Sequence, residues 1–334
     1  MTARRAGIVG SIGLVLCGLG WALDPATFAL GWVAAVSCWL AWPIGSMALL
    51  MIHALTGGRW GDAIAPCLRA GVATLPLLLP ALVPILLLTS FLYPWARPGP
   101  ALYNAFYLNL PFAAGRLLVY LVSWFGLFWL VLRPRSLAAM APAGLLLLAV
   151  TFTFATIDLT MSLDPKFNSS IYGLIALAGT GLTALSVGIL GAAATAEEAV
   201  LPDLARLLLG TVVLWTYLDF MQLLIVWQSD LASDAPWYVV RSVGLWGGVA
   251  LAVAIGHFLL PFGLLLSRQR SRRVSVGVSA LLLAMEGLRA WWLVLPTAPR
   301  SPSWIDAAAL LAIVGCSAYL ALRRRDAVMV ARHV

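Results

Sequence analysis

The stretch Phe152–Gly173, FTFATIDLTMSLDPKFNSSIYG, decides how the chain is read. One apolar run ends at Asp158, a turn begins at Asp164-Pro165, and Asn168-Ser169-Ser170 lead into a second apolar run. Asp before Pro is a helix-start signature: the carboxylate takes up free N–H groups and proline is preorganised for a first turn. The stretch reads as a polar loop joining two membrane helices.

Composition agrees with that reading. Hydrophobic residues make up 62% of the 334 and charged residues 10%, with a mean hydropathy of +0.97. Such a chain has too little polar surface to cover a water-facing exterior. Apolar runs near 20 residues favour helices over barrel strands. The fold class expected is an all-α polytopic membrane protein, one integral membrane domain over 1–334. The net charge of +8 sits on arginines in short loops, without a basic stripe interleaved with aromatics, so nucleic acid is not an expected partner.

Apolar runs bounded by charge, Pro or Gly give about ten spans, at about 7–23, 28–55, 72–92, 112–132, 138–158, 170–194, 206–228, 240–266, 274–295 and 304–322. Arginines crowd alternate loops (Arg4, Arg5, Arg59, Arg69, Arg133, Arg135, Arg206, Arg268, Arg270, Arg272, Arg273, Arg323, Arg324, Arg325, Arg332), while the opposite loops hold Arg97, Lys166, Arg241 and Arg300. By the positive-inside rule both termini are cytoplasmic and the Asp164-Pro165 loop lies outside. The outer loops carry Tyr93, Trp95, Tyr103, Tyr107, Trp237, Tyr238 and Trp304, as interfacial anchors do. MTARR and the apolar run after it resemble a signal peptide, but no small-x-small site precedes Asp24-Pro25, so this run is kept as the first span. No loop is long enough for a soluble domain.

Spans two to five and six to nine follow the same course. In each half an aromatic-proline loop precedes the third span, and an arginine, Arg116 or Arg241, stands at that span's outer end. Two four-helix bundles flanked by the first and last spans are expected. Pro76, Pro80 and Pro84 share one face of the third span, and the carbonyls they free should meet neighbouring helices or water.

Ionisable groups inside spans are costly and should face partners. Asp219 and Gln222 share a helix face; the carboxyl reads either as a proton carrier or as a packing group. Glu286 and Arg289, three apart, can pair along their helix, with Asp158 competing for Arg289. His257 stands four residues before Pro261, which leaves the carbonyl of 257 without its helical donor. The polar niche beside the imidazole suits a proton route, a quinone carbonyl or a satisfied core histidine. Asp158 can meet Arg116 or Arg241 at similar depth. Cys17, Cys38, Cys67 and Cys316 form no CxxC or zinc spacing, so covalent haem, iron–sulfur and structural zinc are not expected. A b-type haem is disfavoured too. His53 lies near a span end, while His257 is on the order of 14 Å deeper than the end of its own span.

Several segments together carry a family resemblance. Met161-Ser162-Leu163-Asp164-Pro165, Phe167 and Ser169-Ser170-Ile171-Tyr172-Gly173 are one. Ile52-His53-Ala54-Leu55-Thr56-Gly57-Gly58-Arg59-Trp60-Gly61 follow the second span. Tyr217-Leu218-Asp219-Phe220-Met221-Gln222 with Ile225-Val226-Trp227 lie in the seventh. Pro236-Trp237-Tyr238, Arg241, Gly244, His257-Phe258 and Pro261-Phe262 belong to the eighth. Over about residues 30–300 and in this order, they resemble the ActF-type, NrfD-like membrane subunit of alternative complex III, a bacterial quinol:cytochrome c oxidoreductase. The chain departs from that pattern in its short termini and loops, in Asp219-Phe220-Met221, and in carrying Glu286 and Arg289.

The resemblance implies a subunit of the bacterial inner membrane with no covalently bound cofactor and quinol or quinone as its ligand. It implies a sister NrfD-like subunit, haem c and iron–sulfur subunits, and a cytochrome oxidase as partners within the lipid bilayer. The subunit would not be catalytic alone. Asp158, Asp219, Glu286 and His257 are the candidates for a proton route. Gln222, Arg241, Arg289, Asp164 and Arg116 are the candidates for a quinol site or a structural polar frame. A secondary transporter or proton channel, and a non-catalytic assembly or scaffold protein, are the competing readings.

Overall fold

A computed structural model describes residues 2–97, 104–133, 137–195, 197–229, 234–267 and 271–330. Tyr103, Arg135, Arg268, Arg270, Arg332 and His333 lie outside the described residues, as do the side chains from 325 onward. Ten helical stretches among them are long and apolar enough to cross a membrane, and no strand occurs among the described residues.

The first span is α1 (Ala3–Leu23) and the second α2 (Pro25–Thr56). Asp24 starts α2 by accepting the Thr27 N–H at 3.0 Å, with Pro25 in the first turn. That backbone donor holds the exposed Asp24 carboxyl below the usual aspartate range. The third span is broken into α3 (Arg59–Val72), a 3-10 turn at Leu75–Leu77, and α4 (Leu78–Leu87), with a short α5 (Thr89–Leu92) beyond. It begins well before 72, where the sequence placed its start. Pro76 causes the break, and Pro76 and Pro80 are exposed rather than packed on neighbours. The opposite face, with Leu75, Leu78, Ala81 and Ile85, is buried on the bundle, and the Trp32 indole donates to the Ala81 carbonyl at 2.8 Å.

Spans four to six are α6 (Leu110–Val131), α7 (Leu137–Leu159) and α8 (Tyr172–Ala192). The seventh is α9 (Leu201–Ser229), followed by the short α10 (Ala235–Ser242). The eighth is composite: α11 (Gly244–Val253), a π-helical turn at Ala254–Leu259, and α12 (Leu260–Leu266). Gly244, at φ 55°, makes the sharp turn from α10 into α11. The last two spans are α13 (Arg272–Val294) and α14 (Trp304–Val330).

Within the first half α6 packs on α7 and α7 on α2; within the second, α8 packs on α9 and α13, and α11 and α12 on α13. The halves join chiefly through α2 and α8. A Cβ on Gly45 would stand 1.9 Å from the Thr180 carbonyl, so glycine alone allows this approach. The flanking spans pair with each other: α1 and α14 run antiparallel, and α14 also packs on α2. Gly10, Gly13 and Gly315 set that contact, since a Cβ on Gly13 would fall 2.4 Å from the Ala312 nitrogen. Small residues at such crossings let backbones meet where no hydrophobic drive exists between helices. Both described ends of the chain therefore lie on one face, and the Asp164 loop lies on the other.

Candidate functional site

Four intramembrane residues from three spans converge near α13. Glu286 is claimed by His257, whose Nε2 lies 2.9 Å from its Oε1. Arg289 donates from Nη2 to Asp219 Oδ1 at 3.1 Å. The pairing along α13 expected from the sequence gives way to two pairings between helices. The reason is geometric: the side chains are long enough to reach across to acid and base partners on α9 and the eighth span.

Between the two pairs stands Trp215. Its ring centroid lies 3.8 Å from that of His257, and the Arg289 guanidinium lies 4.8 Å from it. An aromatic face attracts a nearby cation. The spacing of Trp215 four residues before Asp219 was the signal that put them on one face. His257 is wholly buried in the π turn, and its Nδ1 meets no hydrogen-bond partner. That six-residue turn, Ala254–Leu259, precedes Pro261, whose missing N–H leaves the carbonyl of 257 without its α-helical donor; π turns recur at functional sites.

Glu286 and Arg289 also wall a cavity of about 80 Å³ between α2, α7, α8 and α13. At roughly 30 Å³ per water it admits two to three water molecules. Its polar wall runs through Thr156 and Thr180 to Thr160 and Tyr172, whose hydroxyls lie 2.8 Å apart. Thr160 and Tyr172 bracket the Asp164 loop, so the cavity extends from mid-span toward that face.

Above it an aromatic cover closes the second half. Phe167 stacks on Trp237 at 4.4 Å between ring centroids, with Tyr172 and Trp292 against them. Gln222 ties this cover to α9: it accepts from the Ser169 hydroxyl at 2.6 Å and donates to the Tyr238 hydroxyl at 2.9 Å. Asp164 accepts the Lys166 N–H at 3.1 Å and so stabilises a turn. The helix-start reading fails here, because α8 begins only at Tyr172. Burial pushes the Tyr238 phenol up, which keeps it a neutral hydrogen-bonding group.

Arg116 and Asp158 form the clamp of the first half. Nε and Nη2 of Arg116 donate to Oδ2 and Oδ1, both at 2.8 Å, and the Tyr120 hydroxyl adds a third donor at 2.7 Å. Asp158 thus meets Arg116 and neither Arg241 nor Arg289. Tyr120 was legible as the residue four on from Arg116. Among the described residues Arg241 forms no ion pair: it donates to the carbonyls of Trp292, Leu293 and Trp237 at 3.2, 2.8 and 2.9 Å. The Trp292 and Leu293 carbonyls end α13, where the helix dipole favours a cation. Burial pulls Arg241 down to about 10, so it remains charged at neutral pH.

The two arginines repeat one design. Arg116 lies 3.8 Å over the Tyr107 ring and donates to the Tyr107 carbonyl; Arg241 lies 3.8 Å over the Trp237 ring and donates to the Trp237 carbonyl. Arg116 then grips the end of α7 and Arg241 the end of α13, both on the face of the Asp164 loop. A further clamp escaped the sequence reading: Arg300 donates twice to the fully buried Asp306, at 2.7 and 2.8 Å, tying the start of α14 to its preceding loop.

Fold and site define an all-α, multi-span membrane protein with a cross-helix acid–base network in its second half. No model of a known protein family matches the chain, and no curated protein matches it.

Proposed function

We propose that this chain is an integral membrane subunit of a quinol-oxidising respiratory complex, giving its partners a frame and a proton route. The sequence resemblance motivates the class of complex. The observation that carries the route is the His257–Glu286 pair, whose carboxyl lines a small, mostly apolar cavity with a few polar side chains leading to Thr160 and Tyr172. A carboxyl and an imidazole at 2.9 Å can hand a proton between them, and ordered water can take it onward. Asp219–Arg289 fixes the charge balance beside Trp215. Arg116, Asp158, Asp164, Gln222 and Arg241 frame the outer loops in which the route ends.

In this reading the redox centres belong to haem c and iron–sulfur subunits, beside a sister membrane subunit, with a cytochrome oxidase receiving the electrons. The membrane is the bacterial inner membrane and both chain ends are cytoplasmic. A lone transporter is less well supported. The broken spans are the third and the eighth, which are not counterparts in the two four-span halves, as inverted-repeat transport sites require.

The test is purification from native membranes, followed by Glu286→Gln in the intact assembly. Haem-bearing and iron–sulfur proteins should co-elute. The variant should assemble normally but lose about tenfold or more in proton-coupled quinol oxidation. Proton flux through the isolated chain in liposomes, or elution without redox partners, would overturn the reading.

A further inference from the structure

Asp219 is the open carboxyl of the acid–base network. Its side chain is 37% exposed, against 12% for Glu286. It stands ten positions before the end of α9 at Ser229, on the order of 15 Å along the helix and about half the thickness of a bilayer's hydrocarbon. Oδ1 is engaged by Arg289 Nη2 at 3.1 Å, and among the described residues no hydrogen bond or ion pair reaches Oδ2.

The surface around it is a continuous helix face. Thr216, Asp219, Phe220, Leu223 and Trp227 follow one another at spacings of three or four and so share one side of α9. Phe220, Leu223 and Trp227 are exposed. Gly210 falls on the opposite side of α9 from Asp219 and is outside this face. The chain itself gives the face little cover, because α9 packs mainly on α8 and α12 and only sparsely on α10 and α13.

What covers the face must bring a hydrogen-bond donor to mid-bilayer depth. An ionisable group there is costly without a partner. Hydrocarbon offers no donor, and phospholipid headgroups stay at the interface. A second copy of the chain fails too. Between Arg206 and Ser229 α9 holds no lysine or arginine, so two such faces would set acid against acid. Within the network two carboxyls share one guanidinium and one imidazole, which leaves the open oxygen complementary to a further N–H or O–H group. Polar side chains hydrogen-bond across helices in membranes in this way.

We infer that the Thr216–Trp227 face of α9 docks a transmembrane helix of a different chain, which places a cationic, hydroxyl or amide side chain on Asp219 Oδ2. Phe220, Leu223 and Trp227 supply the apolar contact that shields this bond. The inference deepens the proposed function and rests on it only for the partner's place in a respiratory complex.

Photocrosslinking in native membranes tests it. The photoreactive residue p-benzoylphenylalanine replaces Leu223 or, as a control off the face, the equally exposed Leu214. Leu223 should give an adduct with a membrane protein other than this chain, and Leu214 should not. Mass spectrometry of the joined peptide should find a donor side chain within about one helical turn of the linked residue. That readout needs no change at Asp219, so it stands even where a variant folds poorly. Asp219→Asn, which removes the charge at nearly constant shape, should lower the adduct about fivefold, the weakening of one charge-assisted hydrogen bond.

Adducts of the chain with itself or with lipid alone would overturn the inference. So would equal yields at Leu223 and Leu214, a partner peptide with no donor near the link, or a yield unmoved by Asp219→Asn. The two readings fail separately. Redox subunits that co-elute while Leu223 links only to lipid sink the docking face alone. A donor-bearing partner in an assembly without haem or iron–sulfur proteins sinks the respiratory role alone.

Discussion

Arg289 bonds to Asp219 on α9, 3.1 Å away, while Glu286, three positions back on its own helix, is held by His257 at 2.9 Å. The consequence is that α13 is stitched to α9 by one pair and to the π turn of the eighth span by the other. A pair closed within α13 would have left both neighbours unattached. Buried charge pairs are weak evidence for net stability, but breaking one by removing a partner is costly.

Removing Asp219 therefore costs more than removing both partners. Asp219→Ala should lower stability by about 1–3 kcal/mol, less than for a fully enclosed pair, since the Asp219 side chain is 37% exposed. Adding Arg289→Met should recover part of the loss. Thermal unfolding of the two variants in native lipid checks this, and additive losses would refute the pairing.

In the first half, the carboxylate of Asp158 matters more than any one donor. Asp158→Ala strands Arg116, which is 9% exposed, and should cost about 3–5 kcal/mol. Tyr120→Phe removes one of three donors and should cost about 1–2 kcal/mol. Unfolding midpoints in that order support the clamp; equal losses would not.

Arg241→Lys tests whether the guanidinium fork is needed. Three carbonyls in different directions suit a planar group with five donors, whereas an ammonium on a flexible stem meets fewer of them. The variant should loosen the α10–α13 contact and raise the fluorescence change of Trp237 and Trp292 on quenching by about twofold or more, with the other spans unaffected. Unchanged quenching would show that charge alone suffices.

The two glycine crossings should tolerate no side chain. Gly45→Val places methyl groups on the Thr180 backbone and should prevent the halves from docking, beyond the usual 1–3 kcal/mol for about one or two excess methylenes. Gly13→Val should separate α1 from α14 and leave the eight inner spans folded. Protease protection in membranes distinguishes the outcomes: general loss for the first, and exposure of the terminal spans for the second.

Gly210 and Gly248, with nothing within 4 Å of an added Cβ, are the controls. Alanine there should leave yield and melting unchanged within about 0.5 kcal/mol. A marked loss at either would mean that another chain packs on α9 or α11.

Much of this was legible along the chain. Hydropathy fixes the ten spans because a helix must satisfy its backbone in lipid over a set length. The repeat of aromatic loop and arginine pointed to the matched grips of Arg116 and Arg241. Pairing was another matter. Glu286 and Arg289 look like natural partners at a spacing of three, and nothing linear says that His257, 29 positions away, will claim the acid. Side-chain reach across helices depends on which faces meet, and that is set by close approaches such as Gly45 on Thr180 rather than by the order of residues. The Asp164-Pro165 turn shares this character: Phe167 stacked on Trp237 and Ser169 bonded to Gln222 hold the segment as a loop, and only the assembled bundle could decide it.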